Sequence, residues 1–204
     1  MATSQELAPA EVGGVISSAR GTRELPRSAL PLFASTVLDG VVPLAYKRIR
    51  KTVSLWARAA PERMGRLQPL DPMPEPVVDA IALYPGERRS KRMIAAATTS
   101  AYDEPTAKLT DDMSKAPHLW PLYGLVHVRA PIHLFLLVAR EEGVMETLEG
   151  QCKLVLSEYW YEVKEGTQQF VAIVSEGTES SWRGRVRGWV TTPKGLHYLG
   201  ESFL

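Results

Sequence analysis

The residues that could do chemistry in this chain are few, and their spacing narrows them further. Cys152 is the only cysteine, which excludes an intramolecular disulfide and a cysteine-based zinc site. As a nucleophile it would need an activating base and a partly open position, yet Gln151 and Lys153 beside it open a segment that reads as packed strand. His127 and His133 lie six apart, an even separation that would set both on one face of a continuous strand. Pro131 interrupts that strand and no third ligand follows at a metal-site spacing, so both histidines read as structural. Glu141, Glu142, Glu158, Glu162 and Glu165 offer many carboxylate pairs, at the density expected of solvated strand edges and turns. The chain carries no glycine-rich phosphate loop and no serine in a nucleophile elbow. No catalytic residue, metal or cofactor is expected, and the chain reads as a binding or structural protein.

Binding is therefore the chemistry to look for, and it must be local. Twenty-four basic and 23 acidic residues leave a formal net charge of +1 over 204 residues, so no global field attracts nucleic acid or membrane. Between Val41 and Leu70, however, Lys47, Arg48, Arg50, Lys51, Arg58, Arg63 and Arg66 face Glu62 alone. This tract is the recruiting patch, with Lys47, Arg48, Arg50 and Lys51 its densest part and Tyr46 and Trp56 as aromatic neighbours. A second basic row comes from alternation over Trp182–Val190, which puts Arg183, Arg185, Arg187 and Trp189 on one strand face and Val186, Gly188 and Val190 on the other. Leu119 and Trp120 fall in a proline-rich stretch, and exposed apolar residues there would suit insertion into a membrane interface.

The elements that position these groups read as follows. Residues 1 to 36, rich in Ala, Ser, Gly and Pro, keep no sustained period and read as a flexible tail. Within it Leu30, Pro31, Leu32 and Phe33 form an apolar island suited to docking on a neighbouring copy. A globular part from 37 to 204 would hold a first strand at Lys51–Ala57, a helix from Pro76 to about Leu83, and a buried strand or short helix at Met93–Thr99. Residues 101 to 121 read as a long surface loop. Strands are predicted at Leu125–Arg129, Ile132–Arg140, Gln151–Val163, Phe170–Val174, Trp182–Val190 and Leu196–Leu199. The expected fold is α+β, a single two-layer domain of mostly antiparallel strands with a few short helices. The apolar runs, such as Ile132–Ala139, fall far short of the ~20 residues that span a bilayer. With one cysteine, no asparagine and no secretory start, a reducing, intracellular site is expected.

The order of several features resembles the matrix proteins of rhabdoviruses. Arg50–Arg58 is similar to that family's first strand, Pro76–Leu83 to its first helix, and Tyr84-Pro85-Gly86 through Arg92-Met93-Ile94 to the turn that follows. Leu148-Glu149-Gly150, Trp160, Phe170-Val171, Gly184-Arg185-Val186, Pro193 and the closing Leu199–Leu204 fall in the order seen in animal members, so the resemblance covers about residues 47 to 204. It departs from those members in lacking an N-terminal lysine-rich cluster and the late-budding motifs Pro-Pro-x-Tyr and Pro-Thr-Ala-Pro. The resemblance implies a non-enzymatic viral matrix protein that self-associates into an open oligomer and condenses the viral nucleocapsid. Its implied partners are itself, the nucleocapsid, anionic membrane lipids and a viral glycoprotein tail, and its implied sites are the virion, host cytoplasm, inner membrane face and host nucleus. The competing reading is a viral nucleic-acid-binding accessory protein, such as a silencing suppressor or small coat protein, with Arg48, Arg50, Arg183, Arg185 and Arg187 on phosphate.

Overall fold

The computed structural model describes residues 7–20, 25–46, 55–57, 78–83, 93–102, 116–139, 144–159, 167–175, 185–192 and 195–203. Among the described residues seven strands form one sheet in chain order: β1 (Leu55–Ala57), β2 (Ala80–Leu83), β3 (Met93–Tyr102), β4 (Ile132–Ala139), β5 (Gln168–Ser175), β6 (Arg185–Thr192) and β7 (Gly195–Phe203). The β3–β4 and β4–β5 pairs are parallel and the other four are antiparallel. Two parallel steps in the same direction require crossovers, and a crossover takes one hand almost without exception. Both crossovers therefore lie on one face of the sheet: α3 (Trp120–Val126) joins β3 to β4, and α4 (Met145–Tyr159) follows β4 and precedes β5. The opposite face is left to α1 (Pro9–Arg20) and α2 (Leu30–Ala45).

Side-chain alternation divides the interior accordingly. Ala95, Ala97, Leu134, Leu136, Phe170 and Ala172 point to α1 and α2. Ala96, Phe135, Leu137, Val171 and Ile173 point to Leu119 just ahead of α3, to α3 and to α4. β4 lies between two parallel neighbours and all eight of its residues are buried, as a strand covered on both faces requires. α2 buries Leu30, Phe33, Ala34, Val37, Leu38, Val41, Val42 and Ala45, a stripe recurring at helical spacing. It sits over β2 and β3, where Ala80, Ala82, Ala95 and Ala97 present small side chains. α1 then packs on α2 at Gly40, where an added Cβ would lie 2.5 Å from Val15 Cγ1.

Helices together with a mixed sheet agree with the expected α+β class. Several expectations are corrected. The described helices cover both faces, which makes three layers where two were predicted. Residues 9–20 and 30–36 are helical and packed, and the expected boundary between residues 36 and 37 falls inside α2, with Phe33 and Val37 in the same core. Pro31 occupies the first turn of α2, where its fixed φ favours a helix and its missing N–H costs nothing. The segment Arg27–Ala45 is also long and apolar enough to cross a membrane by length and composition, although prolines and polar residues interrupt its apolar runs; here its apolar stripe packs on the sheet.

The helix expected at Pro76–Leu83 is strand β2 over its last four residues. The strand expected at Leu125–Arg129 is the end of α3 and the turn beyond it. The strand expected at Gln151–Val163 is mostly α4, because Met145, Leu148, Cys152, Val155 and Leu156 recur with a helical period. Met93–Thr99 resolves to strand, and Ile132–Arg140, Phe170–Val174 and the last two strands fall where β4, β5, β6 and β7 stand. Within the predicted loop 101–121, Ala101 and Tyr102 end β3 and Pro117–Leu119 form a 3-10 turn.

Candidate functional site

The sequence-derived binding residues separate into three groups. Lys47, Arg48, Arg50, Lys51 and Arg183 lie outside the described residues. Arg185 and Arg187 lie on β6, paired by register with Phe203 and Glu201 of β7. Arg187 also stands opposite Ile173 of β5, and Trp189 opposite Val171. Residues directly opposed in an antiparallel pair share a face, so Arg185, Arg187 and Trp189 occupy positions on the α3/α4 side of the sheet. Glu201 is the register partner of Arg187 on β7.

The apolar sets are altered by packing. Leu119 is fully buried under the sheet, so of the predicted insertion pair only Trp120, 43% exposed, reaches solvent. Leu30 and Phe33 are buried in their own domain, leaving Leu32, 68% exposed, as the outward apolar residue of the predicted docking island, beside half-buried Pro31. The physical reason is the same in both cases: each helical residue is turned by about 100° from the one before, so consecutive apolar residues cannot all face outward.

Candidate catalytic groups are occupied structurally. Cys152 is buried in α4, not on a strand, and burial, reinforced by the Glu149 charge, pushes its thiol far above the usual range. Such a thiol holds its proton at neutral pH and is a poor nucleophile. His127 ends α3 and is exposed, whereas His133 is on β4 and buried, so the two do not share a strand. No group of three or more His, Cys, Asp or Glu that could hold a metal ion occurs among the described residues. Of the glutamates considered as pairs, Glu158 lies on α4 and Glu141, Glu142, Glu162 and Glu165 lie outside the described residues.

Two buried polar arrangements escaped the sequence reading. Asp79, just before β2, accepts hydrogen bonds at Oδ2 from Thr99 N (2.6 Å), Thr99 Oγ1 (2.7 Å) and Thr98 Oγ1 (3.4 Å). Its carboxylate thus serves the β3 backbone just beyond the start of β2. The second arrangement surrounds α3. His118 Nε2 lies 2.9 Å from Gln151 Oε1 of α4, and its ring stands edge-on to Tyr102 at the end of β3, with centroids 5.1 Å apart. His133 Nε2 donates to the Val128 carbonyl at 2.8 Å. Burial lowers both imidazoles' pKa, that of His133 to about 4, against the smaller upward pull of the hydrogen bonds from Gln151 and Val128. Thr98-Thr99 inside an alanine run, and a histidine just ahead of an apolar helix, were the available signals. Both depend on a partner distant in sequence. The chain matches no protein-family model, no curated protein and no solved structure.

Proposed function

We propose that this chain is a non-enzymatic assembly protein of the rhabdovirus-matrix kind, one that self-associates, lies against an anionic membrane surface and gathers a nucleocapsid. The observation that carries the reading is the placement of Arg185 and Arg187 at alternate positions of β6, on one side of the sheet and within its terminal hairpin. Two cation positions about 7 Å apart on a strand suit a row of phosphates or carboxylates better than they suit a core. Exposed Trp120 supplies an interfacial aromatic, and exposed Leu32 an apolar residue for contact between copies. The buried Cys152 thiol and the buried His133 imidazole support a non-enzymatic reading. The basic tract from Lys47 to Lys51 adds charge in sequence to the same surface-seeking chemistry.

A second reading, a nucleic-acid-binding accessory protein, draws on Trp189, whose position shares the side of Arg185 and Arg187. Basic and aromatic residues interleaved on one surface suit single-stranded RNA through phosphate contact and stacking. Flotation of the full chain with phosphatidylserine-containing and with purely phosphatidylcholine vesicles, beside RNA filter binding, separates the two. The matrix reading expects binding that requires the anionic lipid and weakens with salt, since each basic residue near such a surface is worth about 1 kcal/mol. Equal capture by neutral vesicles at high salt contradicts it. Tight, salt-dependent RNA binding without vesicle capture favours the accessory-protein reading.

A further inference from the structure

The short helix α3 is fastened at both ends by a buried histidine. Ahead of it, His118 in the 3-10 turn Pro117–Leu119 reaches Gln151 of α4. Behind it, His133 of β4 holds the carbonyl of Val128 in the turn that leaves the helix. A carbonyl oxygen only accepts, so the proton of His133 sits on Nε2; with Gln151 Oε1 accepting, His118 likewise carries its proton on Nε2. In each ring Nδ1 is then the bare nitrogen, and in each it is buried with no hydrogen-bond partner among the described residues. A second proton on either ring would create a buried cation whose new N–H has no partner among the described residues as they stand, a costly state for a buried polar group.

We propose that α3 is an acid-released clamp: His118 and His133 hold the crossover on the sheet while both rings are neutral, and protonation frees residues 116–130 while the sheet remains folded. Among the described residues the surroundings offer the cations no unpaired buried carboxylate. Tyr102 faces His118 from β3, and Ala96 and Gln169 flank His133 in register. No Asp or Glu occurs on β3, α3, β4 or β5. Asp79 is engaged by Thr98 and Thr99, and on α4 Glu149 is paired with Lys153, Glu146 is exposed and Cys152 is a neutral thiol. Outside the clamp, His127 and Arg129 are exposed in the turn beyond α3 and add no carboxylate. Release would present Leu119, Leu122 and Leu125, now buried, beside exposed Trp120.

The direction follows from linkage. A histidine whose value is lowered in the closed state binds its proton more readily in the open one, so the closure it supports is complete above about pH 6.5 and is lost as pH falls toward 4. Hydrogen exchange of the full chain by mass spectrometry at pH 7.5 and pH 5.0, corrected for intrinsic rates, reads this out. Peptides within 116–130 should lose protection by about 30-fold from His133 alone, while the centres of β4 and β5 keep theirs. Unchanged protection of 116–130 overturns the proposal, as does a loss shared equally by β4 and β5. His118→Gln and His133→Gln keep a donor and cannot titrate, so each should shrink the acid response; a full response in both would show that other groups titrate and would overturn it. Where a variant does not fold at pH 7.5, the wild-type comparison decides.

Discussion

The two faces of the sheet are packed by different means. The α1/α2 face is closed mainly by aliphatic and aromatic side chains, with a long helix stripe laid on alanines, and its described buried residues include no histidine. The α3/α4 face has a comparable apolar core but also buries His118, His133, Gln151 and Gln169. Apolar burial is insensitive to pH and tolerant of small shifts, whereas buried imidazoles tie packing to protonation. One face is thus a permanent closure, and the other depends on the state of two rings. The difference teaches where a response to conditions can reside in this fold: in the crossover helices and not in the N-terminal pair.

Removing residues 1–36 breaks the comparison most severely. A flexible tail could be cut away to leave a folded monomer, but this deletion takes α1 and the first turns of α2, exposing the face they cover. Val12, Ile16, Leu30 and Phe33 are all buried, and each large apolar side chain contributes roughly 1.5–3 kcal/mol, together comparable with the ~5–15 kcal/mol that holds a whole domain. The truncated chain should show no cooperative thermal transition by circular dichroism, and a sharp transition near that of the full chain would contradict the packed assignment.

Asp79→Ala is the next largest, since it leaves the Thr99 amide and hydroxyl without their acceptor at a buried site. A loss of about 1–3 kcal/mol is expected in urea unfolding, with Asp79→Asn retaining part of it through the remaining carbonyl oxygen. The smallest effects come as a pair on the N-terminal helices. Gly40→Ala drives a Cβ into Val15, and overpacking should outweigh the gain in helix propensity for a net loss of up to about 2 kcal/mol. Gly14→Ala meets nothing within 4 Å and should stabilise by about 0.5–1 kcal/mol. Destabilisation by both, or by neither, would show that the α1–α2 contact is not as close as described.

These expectations mark what could be read from the chain. Strands rich in β-branched and aromatic residues, such as β4 and β5, were legible because local composition alone calls for them. α2 was obscured because its first residues fall in a stretch rich in Ala, Ser, Gly and Pro that keeps no sustained period, although Pro31 lies in the helix's first turn. α4 was obscured by Leu154-Val155-Leu156, a strand-like triplet within a helical period. The parallel pairing in the middle of the sheet, and with it the third layer, depends on which distant strands meet, and no local pattern encodes that. The same applies to the polar sites. Arg185 and Arg187 were visible from alternation, whereas Asp79 with Thr99 and His118 with Gln151 are meetings across 20 and 33 residues.

The proposed role of Arg185 and Arg187 is to bind an acidic surface and not to build the core. Replacing Arg185 and Arg187 together with glutamine, and measuring binding to phosphatidylserine-containing vesicles across a salt series beside a thermal melt, tests it directly. The predicted result is an unchanged melt with weaker binding and a shallower dependence on salt. A variant that binds as wild type at every salt concentration, or one that loses its cooperative melt, would contradict the account.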